Sequence, residues 1–131
     1  MADGAMGAEA EVLAMAELYC RALHRSDVAA FEAMCHERFM MTSAKPGAAE
    51  GGEPIFFDKS AFVDRVRNRA PFDGAPSFEI FSVDVEGDEM AQVKLRVDLP
   101  PRRFHDYLGF YRIGGEWKLI TKLFRTVSEA I

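Results

Sequence analysis

The sequence has only two cysteines, Cys20 and Cys35. They are too few for a disulfide framework and have no metal-ligand neighbours, so both are expected to be buried, reduced thiols. Blocks of Lys or Arg are also missing. The 16 basic and 21 acidic residues leave a formal charge of −5, which argues against a protein held to nucleic acid through the phosphate backbone. No apolar run approaches the ~20 residues of a membrane span, and the opening MADGAMGAEAE lacks the basic and apolar segments of a secretory signal. A cytoplasmic protein that touches neither membrane nor nucleic acid is expected. No H-x-H, Cys-His or carboxylate cluster has metal-ligand spacing, and no Gly-rich strand-to-helix turn suits a phosphate. Neither a metal nor another cofactor is indicated.

What is present is a chain of 131 residues, 49% apolar and 28% charged, long enough for one domain with a real core. Residues 1–8 have no periodicity and are expected to be frayed, with a single domain over 9–131. From Glu9 to His24 the residues Val12, Ala16, Tyr19 and Leu23 recur at steps of four and three, with Leu13 and Cys20 beside them, which predicts a helix. Ser26 and Asp27 interrupt it and offer oxygens to orphan amides, opening a shorter helix with Val28, Phe31 and Met34 or Cys35 inward. Phe39–Ser43 reads as a strand, 44–53 as a surface loop, Ile55–Phe57 as a brief strand, and Asp58 as the cap of a third helix reaching about Asn68. The period then changes to two. Phe78–Val85, Ala91–Leu99, Phe104–Ile113 and Glu116–Arg125 alternate as strands, the last two joined through Gly114 and Gly115 in a primed turn.

That turn sets the faces by counting. One face should carry Phe104, Asp106, Leu108, Phe110 and Arg112 with Trp117, Leu119, Thr121, Leu123 and Arg125. The other should carry His105, Tyr107, Gly109, Tyr111 and Ile113 with Lys118, Ile120, Lys122 and Phe124. Both are partly apolar, so both need cover. Three helices serve one; a second copy of the chain is expected on the other, a homodimer through Tyr107, Tyr111, Ile120 and Phe124.

Asp106 is the informative polar residue, since it counts among Phe104, Leu108 and Phe110, where desolvation would raise its pKa. Such a carboxyl can move a proton as a general base. It can equally be structural, accepting bonds from backbone amides or from Arg103 or Arg125. Lys122 counts to the opposite face, level with Tyr107, though a bulge would bring it to Asp106. His24 and His36 lie at helix ends, where a cation suits the helix dipole, and His105 offers less still.

The stretch ELYCRALHRSDVAAFEAMCHERFMM, Glu17 to Met41, and the stretch FHDYLGFYRIGGEWKLITKLF, Phe104 to Phe124, resemble the opening helices and closing hairpin of the nuclear-transport-factor-2-like superfamily, in its putative lumazine-binding branch. Asp-Tyr-Leu at 106–108, Gly-Glu-Trp-Lys at 115–118 and Lys-Leu-Phe at 122–124 carry the resemblance, which spans about residues 9–127. It implies an α+β, cystatin-like fold in which a curved, mainly antiparallel sheet wraps three N-terminal helices as a cone with a pocket at its open end. Tyr19, Phe62, Val66, Phe104 and Phe110 should then lie nearest the opening, with Tyr19, Asp106 and Thr121 as the polar groups. The superfamily includes ketosteroid isomerase, scytalone dehydratase and polyketide cyclases alongside non-catalytic members, so fold alone does not choose a function. Three readings follow: a protein binding a small apolar or aromatic molecule, a cofactor-free isomerase, dehydratase or cyclase using Asp106 as general base, or a dimerisation module with a filled cone.

Overall fold

Nine elements follow one another in a computed structural model that describes residues 7–44 and 50–131: α1 (Ala8–Arg25), α2 (Val28–Met34), β1 (Cys35–Ser43), β2 (Ile55–Asp58), α3 (Lys59–Arg67), β3 (Ser77–Glu86), β4 (Met90–Leu99), β5 (Arg102–Ile113) and β6 (Glu116–Ser128). The expected fraying of residues 1–8 falls, for 1–6, outside the described residues, and so does 45–49 of the expected loop. Among the described residues no helix is long and apolar enough to cross a membrane.

Local chemistry explains the boundaries. Glu9 and Glu11 sit in the first turn of α1 and His24 and Arg25 in its last, each matching the helix dipole. Ser26 then adopts a left-handed conformation, φ 53°, and Asp27 accepts the amide of Ala30 at 3.1 Å to cap α2. Asp58 caps α3 in the same way through Ala61, at 2.9 Å. The chain enters β1 directly from α2, so the strand begins at Cys35, four residues before the expected start at Phe39, and His36 is a strand residue whose Nδ1 accepts the amide of Arg38.

The six strands form one sheet in the order β2-β1-β6-β5-β4-β3. All neighbours run antiparallel except β1 and β6, which are parallel. The fold is therefore α+β with a mixed, unclosed sheet, as the resemblance implied. The helices cover the sheet's inner face, α1 against β3, β4 and β6 and α3 against β1 and β2. Val12, Ala16, Tyr19 and Leu23 of α1 meet Val93, Leu95 and Val97 of β4 and Leu108 and Phe110 of β5 in one core. Each of the larger side chains stabilises by about 1.5–3 kcal/mol when fully buried. Gly114 and Gly115, with φ of 59° and 83°, make the primed turn between β5 and β6, and Ile113 lies opposite Glu116 as counted.

Counting holds along all of β5 and fails halfway along β6. Pairing runs regularly to Phe110–Leu119, then resumes at Gly109–Thr121. Ile120 is the extra residue of a β-bulge, and the side chains of Thr121 to Phe124 change face; a second shift follows between the pairs Phe104–Thr126 and Arg103–Ser128. Trp117 and Leu119 are buried as expected, but Lys122 and Phe124 then turn inward while Thr121 and Leu123 are exposed. The expected positions of Thr121 and Leu123 in the cone and of Lys122 and Phe124 on the outer face are corrected by that one inserted residue.

Candidate functional site

Asp106 sits in mid-β5 with its side chain on the inner face, 1% exposed. The hydroxyl of Tyr19, from α1, donates to its Oδ2 at 2.5 Å, and Nζ of Lys122 lies 3.9 Å from the same oxygen. Oδ1 has no hydrogen-bond partner among the described residues. The bulge at Ile120 brings Lys122 here. Its Nζ is ringed by aromatic faces, 5.3 Å from the Tyr19 centroid, 5.0 Å from Phe62 and 4.8 Å from Phe124.

Burial governs the protonation of all three groups. It raises the carboxyl of Asp106 above the usual carboxylate range, against the opposing pull of Lys122 and the Tyr19 donor. It lowers the ammonium of Lys122, with Asp106 acting in the other direction. The phenol of Tyr19 is pushed up by burial and then by the carboxylate beside it. Burial thus favours the neutral form of both the carboxyl and the amine, and the attraction between the two opposes it in each.

Above this floor lies an open cavity of about 900 Å³. Phe62 and Val66 of α3, Phe104 of β5, Phe124 of β6, Met41 of β1 and Val97 of β4 supply apolar walls. Phe104 and Phe124 meet edge to face, with centroids 6.1 Å apart. Arg65 and Arg69, from α3 and the segment after it, and Arg102 and Arg125, from β5 and β6, also line the cavity. Of the residues expected near the opening, Phe62, Val66, Phe104 and Asp106 line the cavity. Tyr19 is fully buried beneath it and reaches it only through Asp106. Phe110 is packed into the core at 1% exposure, and Thr121 faces away, across from Gly109 on the outer surface. Lys122, Phe124, Arg65, Arg69 and Arg102 are what counting missed, while Arg125 counts to this face.

The other candidates are structural in this geometry. His24 bonds the carbonyl of Gly74 through Nε2 at 2.8 Å and stacks on Phe72, tying the segment after α3 to α1. His105 lies on the outer face against Phe81. Arg103, considered as a partner for Asp106, instead grips Asp98 through Nε at 2.8 Å, together with Arg96 at 2.6 Å and Ser77 at 2.9 Å. Cys20 and Cys35 are free and buried, and burial pushes each thiol up to about 12. No group of three or more His, Cys, Asp or Glu is gathered for a metal among the described residues.

No curated protein matches the sequence. Among solved structures, a nuclear-transport-factor-2-like protein of unknown function from Silicibacter pomeroyi is 26% identical, with 89% of this chain and 93% of that chain covered and a TM-score of 0.78. A nuclear-transport-factor-2-like protein of unknown function from Shewanella baltica is 13% identical with a TM-score of 0.79, covering 91% and 93% of the two chains. A ketosteroid isomerase-like protein from Erwinia carotovora atroseptica is 16% identical with a TM-score of 0.70, covering 92% and 96%. The last two are likenesses of fold. Residues 7–125 match the family described as putative lumazine-binding. With the mixed sheet, the three helices and this match in agreement, the chain belongs to the putative lumazine-binding family of the nuclear-transport-factor-2-like superfamily.

Proposed function

We propose that the protein binds a small, flat, largely apolar molecule in the cavity between α3 and strands β4 to β6. The observation that carries this reading is the combination of about 900 Å³ of space with aromatic walls and one buried polar pair at the floor. Sites for small molecules have this make-up, a mostly apolar concavity of about 300–1,000 Å³ with a few placed polar groups. The family description points the same way, and an open cavity argues against a filled dimerisation module. Two free, buried thiols suit a cytoplasmic setting. A native mass spectrum of the purified protein tests the reading. A small-molecule adduct, lost when Thr126→Trp puts a bulky ring into the cavity that Thr126 of β6 lines, supports it; no adduct, and no thermal stabilisation by any of a panel of flat aromatic compounds, contradicts it.

A second reading is favoured by the unpartnered Oδ1 of Asp106. In it the carboxyl takes a proton from a bound carbon acid or hydroxyl compound as general base, in a cofactor-free isomerisation, dehydration or cyclisation. Asp106→Asn separates the two, since it would abolish turnover while leaving the ligand bound.

The outer face of the sheet completes the proposal. Tyr107, Tyr111 and Leu123 are 41%, 52% and 51% exposed, with Ile120 between them, and a second copy of the chain covers this face in a two-fold dimer. Leu123 takes the place assigned by counting to Phe124.

A further inference from the structure

The cavity is the cationic part of an acidic protein. Five basic and three acidic side chains line it, while the whole chain carries −5. Two of the basic groups are already answered, Arg102 by Glu129 at 3.2 Å and Lys122 by Asp106 at the floor. Arg65, Arg69 and Arg125 are left facing a single carboxylate, Glu50, and among the described residues none of the three forms a salt bridge.

Arg65 lies in the last turn of α3 and Arg69 just beyond its C-cap Asn68, where the Arg69 amide still donates to the carbonyl of Val66 at 3.2 Å, and both line the cavity. Both guanidinium groups rest on aromatic rings, Arg65 on Phe57 at 4.8 Å and Arg69 on Phe72 at 5.4 Å, which holds the two like charges in place rather than letting them swing into water. The Nε of Arg69 is buried without a hydrogen-bond partner among the described residues. A buried donor left unmade is costly, and a fixed pair of guanidinium forks is a preorganised receptor for a planar or tetrahedral oxyanion.

Resting on the cavity as the binding site, we infer that its ligand is an acid: an aromatic or alicyclic body lies against Phe62, Phe104 and Phe124, and a carboxylate or phosphate group is gripped by Arg65 and Arg69. The apolar walls supply affinity for the body, and the arginines select the charge and fix which end enters first.

Two fluorescent probes that differ by one group provide the test: 8-anilinonaphthalene-1-sulfonate and its neutral counterpart N-phenyl-1-naphthylamine. The wild-type protein is expected to bind the sulfonate at least about tenfold more tightly, as a charge-assisted contact of ordinary strength requires. Arg65→Gln/Arg69→Gln should remove that preference and leave the neutral probe within about twofold. Both arginines reach the surface, so the variant should keep its circular dichroism and thermal transition. Displacement by 2-naphthoate or by 2-naphthyl phosphate tells which acid group is favoured. Equal binding of both probes to the wild type, or an unchanged preference in the variant, overturns the acid assignment and leaves the cavity as a site. Binding of both probes undiminished by Thr126→Trp overturns the site itself, as does failure of both to bind.

Discussion

Gly109 and Thr121 stand directly opposite one another where β6 resumes pairing after its bulge, and a first side-chain carbon at 109 would lie 2.3 Å from Thr121 Oγ1. Gly109→Ala is therefore expected to destabilise the fold by about 1–3 kcal/mol through overpacking. Thr121→Ala alone should be close to neutral, and the double variant should recover most of the loss. Urea unfolding of the four proteins measures this; a Gly109→Ala protein as stable as wild type would show that the strands can part at no cost.

The buried pair at the cavity floor predicts non-additivity. Asp106→Asn strands an amine that is 7% exposed, and Lys122→Met leaves Asp106 with the Tyr19 hydroxyl alone. Loss of one partner of a buried pair is expected to cost about 3–5 kcal/mol, and the double variant less than the sum by at least about 0.5 kcal/mol. Strict additivity in a double-mutant cycle would mean that the two groups do not interact.

Asp98 predicts the acid limb of stability. Hydrogen bonds from Arg103, then Ser77 and Arg96, hold its carboxyl at about 2, below the ordinary 3.8. A depressed folded-state value means that the native protein binds this proton less readily than the unfolded chain. The contribution is complete above about pH 4, is lost as pH falls through 2, and amounts to roughly 1–2 kcal/mol after allowance for solvent screening. Asp98→Asn should accordingly be less stable at pH 6 and show a flatter decline between pH 4 and 2. An unchanged slope in acid-titrated unfolding would remove Asp98 from the account.

The outer face predicts an assembly. Wild-type protein at micromolar concentration should sediment as a dimer, and Tyr107→Asp/Tyr111→Asp should sediment as a monomer with the same circular dichroism. A wild-type monomer would contradict the two-fold interface.

Most of the fold was legible because α1 announces itself by apolar spacing over sixteen residues and α2 and α3 by spacing together with their caps, Asp27 and Asp58. The inner face of β5, Phe104 to Arg112, followed from the glycine turn alone. What counting could not deliver was the far half of β6, since the inserted Ile120 inverts the facings of Thr121 to Phe124. A signal existed: Gly109 interrupts an otherwise bulky strand, and an isolated glycine there marks a bulge or a close approach on the partner strand. Taken up, it would have moved Lys122 and Phe124 into the cavity and Thr121 out. The cluster around Asp98 had no such signal, because Ser77, Arg96 and Arg103 come from three strands and meet only once their register is known.

The outermost strand on the long side of the sheet, β3, breaks register at Phe81 and alternates its half-buried residues with Glu79, Asp84 and Glu86. A foreign segment trying to zip onto that margin meets a kink and a row of negative charge. Growth of the sheet into filaments is discouraged at this border.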